Sequence, residues 1–270
     1  MIKLNNITFG NNSPFVLIAG PCVIENEEMI LETAKTIFEI TKKLNIPFVF
    51  KSSFKKANRT NISSFSGLKV DEAVSILKKV KTKFNVPLVT DVHTVEDVRI
   101  VSPIVDIIQI PAFLCRQTDL LIAAGESGKI VNIKKGQFLA PEDMKHAIQK
   151  VESTGNKLIL LTERGTTFGY HNLVVDMRSL VTMNELNYPV VMDATHSVQM
   201  PSNSKITGGE PKFIEPLAKA ATAIGIDALF LEVHPNPKEA LSDAGSQLHI
   251  DELEKLLVKV QSIDRVVKGY

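Results

Sequence analysis

The sequence lacks several features that mark whole classes of protein. Its 270 residues include 31 Lys and Arg against 30 Asp and Glu, a formal net charge of +1. It therefore has no general excess of the positive charge by which proteins bind nucleic acids and membrane surfaces. It has no apolar run as long as a membrane span, and its start, MIKLNNITFG, lacks the basic and apolar stretches of a leader. We expect a cytoplasmic protein with neither nucleic-acid nor membrane partners.

Cysteine and linker sequence are also scarce. Cys22 and Cys115 are the two cysteines of the chain. In a large reduced enzyme such residues are more often free thiols, metal ligands or packing residues than a disulfide. No Pro/Ser-rich linker, low-complexity tract or block of charge divides the sequence. We therefore expect a single domain over residues 1–270.

What the sequence does contain is a series of eight short apolar runs, each followed by an amphipathic stretch. The runs are PFVLIAGP, FVFKSSF, PLVTDVH, DIIQIPAF, IVNIKK, KLILLTERG, PVVMDATH and ALFLEVHP. They are rich in Val, Ile and Leu without polar alternation, which is typical of parallel strands covered on both faces. Eight such units in about 250 residues predict a (β/α)8 TIM barrel, with a short N-terminal extension that forms a hairpin over residues 1–12. An open doubly wound sheet is the alternative, but its Gly-rich nucleotide fingerprint is missing.

In a barrel, functional groups collect where the strands end, so the residues that close the eight runs are the candidates for chemistry. In chain order they are Cys22, Lys51, Asp91 with His93, Gln109, Lys134 with Lys135, Arg164, Asp193 with His196, and Glu232 with His234. Every run ends in a polar or ionisable group. We therefore predict one polar site built from all the strands.

Cations are the most numerous of these groups, and few carboxylates are expected to neutralise them. They are Lys51, Lys56, Arg59, Lys134 and Arg164, with Arg116 as a further candidate. Clustered cations repel one another unless an anion binds among them. The pattern predicts a substrate with two or more phosphate or carboxylate groups. An ordinary surface position is the alternative for Lys55, Lys56 and Lys135.

Four residues form a candidate metal site. Cys22 follows the first run, His196 the seventh, Glu232 the eighth, and Asp243 lies in LSDAGSQL beyond it. The first, seventh and eighth strands are neighbours in a closed barrel. A thiolate, an imidazole and two carboxylates suit a divalent transition metal (Fe, Zn, Mn or Co) better than Mg or Ca. Spacing alone leaves a packed Cys22 and a hydrogen-bonded His196 as alternatives.

A set of motifs extends over nearly the whole chain: GPCVIE, FKSSFKKANRT, TDVH, QIPAFLCRQTDL, VNIKKGQF, TERGTTFGYHNLVVD, DATHSVQ, EVHPNP and LSDAGSQL. Together they resemble the 3-deoxy-D-manno-octulosonate 8-phosphate synthase family. The resemblance implies a TIM-barrel homotetramer that condenses phosphoenolpyruvate with D-arabinose 5-phosphate and water and releases phosphate, for the lipopolysaccharide inner core. Cys22 in the GPC motif is similar to the metal-dependent branch, because the metal-independent branch has asparagine there.

The resemblance also implies a role for each matching residue. The phosphoenolpyruvate set is Lys51, Lys56, Gln109, Ala112 through its backbone N–H, Lys134 and Arg164. The sugar phosphate set is Asn58, Arg59 and Thr60, with Arg116 contributed by a neighbouring subunit. The metal ligands are Cys22, His196, Glu232 and Asp243. The candidate catalytic residues are Lys51, Asp91, His93, Lys134, Arg164 and His196, of which Asp91 and His93 are candidates for orientation or proton transfer.

Three other functions stay open at this point. The sister enzyme of aromatic biosynthesis uses erythrose 4-phosphate, and has a Lys-Pro-Arg-Thr loop where this chain has KANRT at Lys56. A Schiff-base aldolase would use Lys51 or Lys134 as its nucleophile. A non-catalytic sugar-phosphate sensor would need the anion sites without the metal group.

Overall fold

The structure of the protein, a computed structural model, describes residues 1–59, 61–200 and 208–270. Eight parallel strands alternate with eight helices. The strands are β1 (Val16–Gly20), β2 (Phe48–Lys51), β3 (Leu88–Asp91), β4 (Ile107–Ile110), β5 (Ile130–Lys134), β6 (Ile159–Glu163), β7 (Val190–Asp193) and β8 (Ala228–His234). The helices are α1 (Glu27–Leu44), α2 (Val70–Phe84), α3 (Val95–Val101), α4 (Thr118–Glu126), α5 (Met144–Glu152), α6 (Arg178–Asn184), α7 (Ile214–Ile224) and α8 (Ile250–Lys268).

The sheet closes on itself. Each strand from β1 to β7 pairs in parallel with the next, and β8 pairs in parallel with both β7 and β1. All eight predicted runs are strands, so the prediction of a (β/α)8 barrel is confirmed and the open doubly wound sheet is wrong. The closure makes β1, β7 and β8 neighbours.

The unbroken apolar runs are explained by two cores on opposite sides of one sheet. Successive strand residues point to opposite faces. Val16 and Ile18 of β1 belong to the cluster inside the barrel, whereas Leu17 and Ala19 belong to the larger cluster between strands and helices. Both faces of the sheet are therefore covered by apolar side chains, and polar residues are confined mainly to the strand ends.

Helix boundaries follow local capping chemistry. The Asn26 side chain accepts the Met29 N–H at the start of α1, and Thr94 with Asp97 forms a capping box at the start of α3. Pro141 begins a 3-10 turn, Pro141–Asp143, and α5 starts at Met144.

The N-terminal residues occupy the amino ends of the barrel strands. Ile2–Leu4 and Ile7–Phe9 form an antiparallel hairpin, and Phe9 is fully buried in the inner core with Val16. The opposite end, where the strands finish, remains for function. Smaller antiparallel pairs follow β6 (Thr166–Phe168 with Asn172–Val174) and β7 (Gln199–Met200 with Gly208–Gly209). Among the described residues, no helix has both the length and the apolar character needed to cross a membrane.

Candidate active site

A cavity of about 620 Å3 lies at the carboxyl ends of the strands. Most residues singled out from the sequence line it together. They are Lys51, Lys56, Asn58, Arg59, Asp91, His93, Gln109, Ala112, Lys134, Arg164, His196 and Asp243. Residues from all parts of the chain thus meet at one place, because a closed barrel brings the ends of its strands together.

Three residues with a predicted binding role do not line the cavity. Cys22 and Glu232 are buried behind the cavity wall. Arg116 is exposed and does not line the cavity of its own chain. Thr60 lies outside the described residues.

The expectation that the cations have few carboxylate partners was wrong for two lysines. Lys51 Nζ lies 2.7 Å from Glu232 Oε1, and Lys134 Nζ lies 2.5 Å from Asp193 Oδ2. Burial would raise the pKa of Asp193, but His196 and Lys134 outweigh it and hold that pKa well below its ordinary value. Burial lowers the pKa of Lys134, and Asp193 opposes the shift. The barrel thus supplies its own counterions for Lys51 and Lys134.

Two of the remaining cavity cations, Lys56 and Arg164, form no salt bridge within the described part of the chain. Arg164 donates from Nη2 to Gln199 Oε1 at 2.8 Å, while its buried Nη1 has no partner among these residues. Burial would lower the pKa of Lys56, but the nearby Cys22, Asp91 and Glu232 raise it, so Lys56 stays charged. An anionic ligand in the cavity would satisfy both groups.

Lys135 shows why neighbouring strand-end residues have different roles. Its Nζ lies outside the barrel, 3.5 Å from Glu163 Oε1 and 2.9 Å from Thr166 Oγ1. The surface position considered for Lys135 was wrong, since its side chain is fully buried. Alternation along the chain therefore separates Lys134 and Arg164, which face the cavity, from Lys135 and Glu163, which face the helices.

The predicted metal-binding residues are close together. Ligand atoms of Cys22, Glu232 and Asp243 lie within 4.8 Å of one another. His196 Nε2 lies 3.6 Å from Glu232 Oε1 and 3.8 Å from Asp243 Oδ2. His196 Nδ1 lies 2.8 Å from Asp193 Oδ2, a contact that leaves Nε2 as the nitrogen facing the other ligands.

The donor set fits a divalent transition metal. Glu232 Oε2 is buried and has no hydrogen-bond partner among the described residues, which is unusual for a carboxylate unless a cation is meant to bind it. Burial, together with Asp243 and Glu232, raises the pKa of the Cys22 thiol. A bound cation removes this repulsion and favours the thiolate.

Asp91 and His93 form a second polar group in the cavity wall. Asp91 accepts a short hydrogen bond from Ser53, and its Oδ2 lies 3.3 Å from His93 Nε2. Burial would raise the pKa of Asp91, but Lys56 and the His93 contact keep it well below its ordinary value. Asp91 is thus an ionised hydrogen-bond acceptor that fixes the ring of His93.

The sequence assigned no role to three residues that complete the site. Asp193 ends β7 and contacts both Lys134 and His196; its place three residues before His196 was the available signal. Gln199 orients Arg164. Ser242 contacts both Cys22 and Arg59, and only its place beside Asp243 could have indicated it.

A cation-lined cavity beside a thiol–carboxylate–imidazole cluster, at the carboxyl ends of a parallel barrel, defines a TIM-barrel enzyme for small anionic substrates. The chain belongs to the DAHP synthetase I family, whose profile matches residues 1–268.

Similar proteins from three bacteria are each named 2-dehydro-3-deoxyphosphooctonate aldolase. Those of Syntrophotalea carbinolica and Fusobacterium nucleatum are 54% identical over 269 residues, 99% of this chain and 97% of each relative. That of Rickettsia typhi is 54% identical over 99% of this chain and 98% of its own length. The resemblance found in the motifs is confirmed.

Proposed function

We propose that the protein condenses phosphoenolpyruvate with D-arabinose 5-phosphate and water to give 3-deoxy-D-manno-octulosonate 8-phosphate and phosphate, for lipopolysaccharide biosynthesis. The observation that carries this proposal is the pair of cavity cations that form no salt bridge among the described residues, Lys56 and Arg164, beside the Cys22–Glu232–Asp243 cluster. The names of the 54% identical relatives support it.

Phosphoenolpyruvate binds at the inner part of the cavity. Arg164 offers its unpartnered Nη1, and a guanidinium holds a phosphate or carboxylate through paired N–H donors. Lys56 adds a second charge. Lys134, 3.8 Å from the centre of the Phe230 ring, and Lys51 line the floor beneath, while Gln109 and the Ala112 N–H orient the ligand.

The sugar phosphate binds nearer the rim. Asn58 and Arg59 line this part of the cavity, and Thr60 follows them in the sequence. Arg116 is exposed and lies away from its own cavity, a position from which it can serve a neighbouring subunit. The enzyme on this account is a homotetramer with composite sites.

Cys22, His196, Glu232 and Asp243 would hold a divalent transition metal, in agreement with the metal-dependent branch. When bound, the metal would act as a Lewis acid that orients and polarises water or the aldehyde oxygen. The Asp193 contact to His196 and the burial of Glu232 would keep these ligands in position for it.

The reaction then requires the protein to perform three tasks. C3 of the enol phosphate must meet the aldehyde carbon, which the two anion sites achieve by orientation. Water adds at C2, with Asp91 and His93 placed to hold or move a proton. Phosphate leaves with cleavage of its C–O bond, and Arg164 with Lys134 stabilises the departing charge.

The decisive experiment measures phosphate release from phosphoenolpyruvate after arabinose 5-phosphate is added, with and without a chelator. We expect release with this sugar, little release with erythrose 4-phosphate, and loss of activity on chelation that Zn2+, Mn2+, Fe2+ or Co2+ reverses. Release with erythrose 4-phosphate alone would identify the sister reaction. Borohydride trapping of a substrate adduct on Lys51 or Lys134 would favour the Schiff-base aldolase.

A matched pair of variants tests the site itself. Arg164→Ala should abolish most phosphate release, whereas Arg99→Ala should not, because Arg99 is an exposed residue of α3 that pairs with Glu96 away from the cavity. Binding of the sugar without any turnover by the unmodified protein would favour the non-catalytic sensor.

A further inference from the structure

Ser242 joins two parts of the site that have separate tasks. Its Oγ lies 3.1 Å from Cys22 Sγ and accepts a hydrogen bond from Arg59 Nη1 at 2.8 Å. Ser242 is buried, and it directly precedes Asp243. One hydroxyl therefore bridges the thiol of the proposed metal site and the arginine of the proposed sugar phosphate site.

In the structure the Ser242 oxygen accepts hydrogen bonds from both the Cys22 thiol and Arg59. A guanidinium can only donate, so Ser242 keeps its own proton for another partner. Cys22 must lose its proton to bind a metal. Its sulfur is then an acceptor, and the Ser242 O–H is placed to donate to it.

The loop around Ser242 is held by the segments that follow β1 and β2. Arg59 Nη2 donates to Leu241 O at 2.8 Å. Gln247 Nε2 donates to Ser242 O at 2.8 Å, while Gln247 Oε1 accepts the Cys22 N–H at 3.3 Å. The position of Ser242 is thus set by contacts to the segments that follow β1 and β2.

Arg59 also retains a donor for a ligand. Its Nε is buried and has no partner among the described residues, although Nη1 and Nη2 are both used. A phosphate at this edge of the guanidinium would satisfy Nε without displacing Ser242. It would fix Arg59 in the orientation that holds the loop against Cys22.

We propose that Ser242 is a positioning residue that couples the two sites, so that a sugar phosphate on Arg59 tightens metal binding at Cys22 and Asp243. The inference rests on the proposed function, because it needs both ligands to bind. Coupling between two binding sites is reciprocal, so the metal must tighten sugar phosphate binding by the same factor.

The test measures the dissociation constant of Co2+ by competition with a chelator, with and without arabinose 5-phosphate. We expect the sugar phosphate to lower the dissociation constant of Co2+ about five-fold or more in the unmodified protein. In Ser242→Ala the ratio should fall close to unity. The sulfur-to-cobalt charge-transfer absorption reports the Cys22 bond directly and should respond to the sugar phosphate only when Ser242 is present.

Two further variants separate coupling from simple damage to the loop. Ser246→Ala removes a hydroxyl of the same loop that donates to the Asp243 carbonyl and bridges neither Cys22 nor Arg59 among the described residues, so it should keep the coupling. Ser242→Thr keeps the hydroxyl and should restore most of it. Circular dichroism of each variant checks that the barrel is folded.

The outcomes distinguish this inference from the proposed function. Failure of the unmodified protein to bind Co2+ would reject the metal site, and the coupling with it. Tight Co2+ binding with equal coupling in the unmodified protein and Ser242→Ala would overturn the role of Ser242 alone. Equal loss of coupling in Ser242→Ala and Ser246→Ala would show a general effect of the loop and would also overturn it.

Discussion

The ammonium group of Lys51 lies 2.7 Å from Glu232 Oε1 and donates to the carbonyl of Cys22 at 3.0 Å. Both side chains of the ion pair are almost completely buried. Lys51 thus contacts two of the four proposed metal-binding residues as well as lining the cavity. It connects β2 to β1 and β8, so its charge matters for the fold as well as for the ligand.

Removing Lys51 should destabilise the barrel strongly, because it leaves Glu232 buried with one counterion fewer. We expect Lys51→Met to lower the free energy of unfolding by about 3 kcal/mol, measured by urea denaturation in the presence of a chelator. The control Lys79→Met breaks an exposed pair with Glu27, which should cost about 1 kcal/mol or less. Adding Glu232→Met to Lys51→Met should recover part of the loss, and equal costs for the two lysines would contradict this account.

The two anion sites should be separable by mutation. Arg59→Ala should raise the KM for arabinose 5-phosphate about ten- to hundredfold, the cost of losing hydrogen bonds to a charged group. Arg164→Ala should raise the KM for phosphoenolpyruvate and lower kcat as well, because it also stabilises the departing phosphate. Steady-state kinetics with each substrate varied in turn gives both values. Equal damage to both substrates by Arg59→Ala would refute the assignment.

The barrel could be predicted because the pattern that specifies each strand is contained in a short stretch of sequence. Each strand is a run of Val, Ile and Leu that is buried on both faces, and each run ends in a polar group, so period and length alone identify the fold. The convergence of Lys51, Lys134 and Arg164 followed from closure, which needs no knowledge of side-chain conformation.

The contacts inside the site could not be predicted in the same way. Lys51 and Glu232 are 181 residues apart, and several carboxylates at the strand ends could have paired with Lys51 equally well. The carboxylate that pairs with Lys51 is decided by side-chain packing inside the closed barrel. The same holds for Ser242, because a serine beside a candidate metal-binding aspartate has no distinctive pattern.

Asp97 should stabilise the start of α3 in a pH-dependent way. Its carboxylate accepts from the His93 and Thr94 N–H groups and lies 2.6 Å from Lys55 Nζ. Burial would raise the pKa of Asp97, but the hydrogen bonds of Lys55 and His93 lower it below its ordinary 3.8. A depressed pKa means that the stabilisation is complete above the unfolded value and is lost as the pH falls through the folded one.

We expect Asp97→Asn to lower the free energy of unfolding by about 1 kcal/mol at neutral pH. The difference from the unmodified protein should shrink between about pH 5 and pH 3. Urea denaturation at several pH values measures it, with Asp71→Asn, an exposed first-turn residue of α2, as the control. A difference that grows on acidification would contradict the sign argued here.

Arg116 should act across a subunit interface. Arg116→Ala and Lys134→Ala subunits should each be inactive alone, but mixed oligomers should regain some activity because some of their sites are intact. Subunit exchange is verified by native mass spectrometry. Lys134→Ala mixed with Arg164→Ala provides the control, since both residues line the same cavity and no hybrid site would be intact. Absence of rescue after verified exchange would count against composite sites.

Cys22 offers the most direct test of the proposed metal site. Replacing it with asparagine gives the residue found in the metal-independent branch of the family that the motifs resemble. Cys22→Ala should lose metal and activity together while the fold persists, since the barrel core does not depend on one thiol. Cys115→Ala is the matched control. Cys115 is also buried, but it lies next to Gly136 on the far side of β5, so its removal should leave metal content and chelator sensitivity unchanged.

Cys22→Asn should behave differently from Cys22→Ala. An asparagine amide can fill the space and donate a hydrogen bond to the substrate, so weak activity that resists chelation is expected. Full activity is not expected, because Glu232 Oε2 would remain buried without its cation and an unsatisfied carboxylate oxygen costs about 1–3 kcal/mol. Metal analysis and phosphate-release assays before and after chelation measure both effects. Full turnover by the unmodified protein after complete removal of metal would reject the metal site and, with it, the distinction between these two variants.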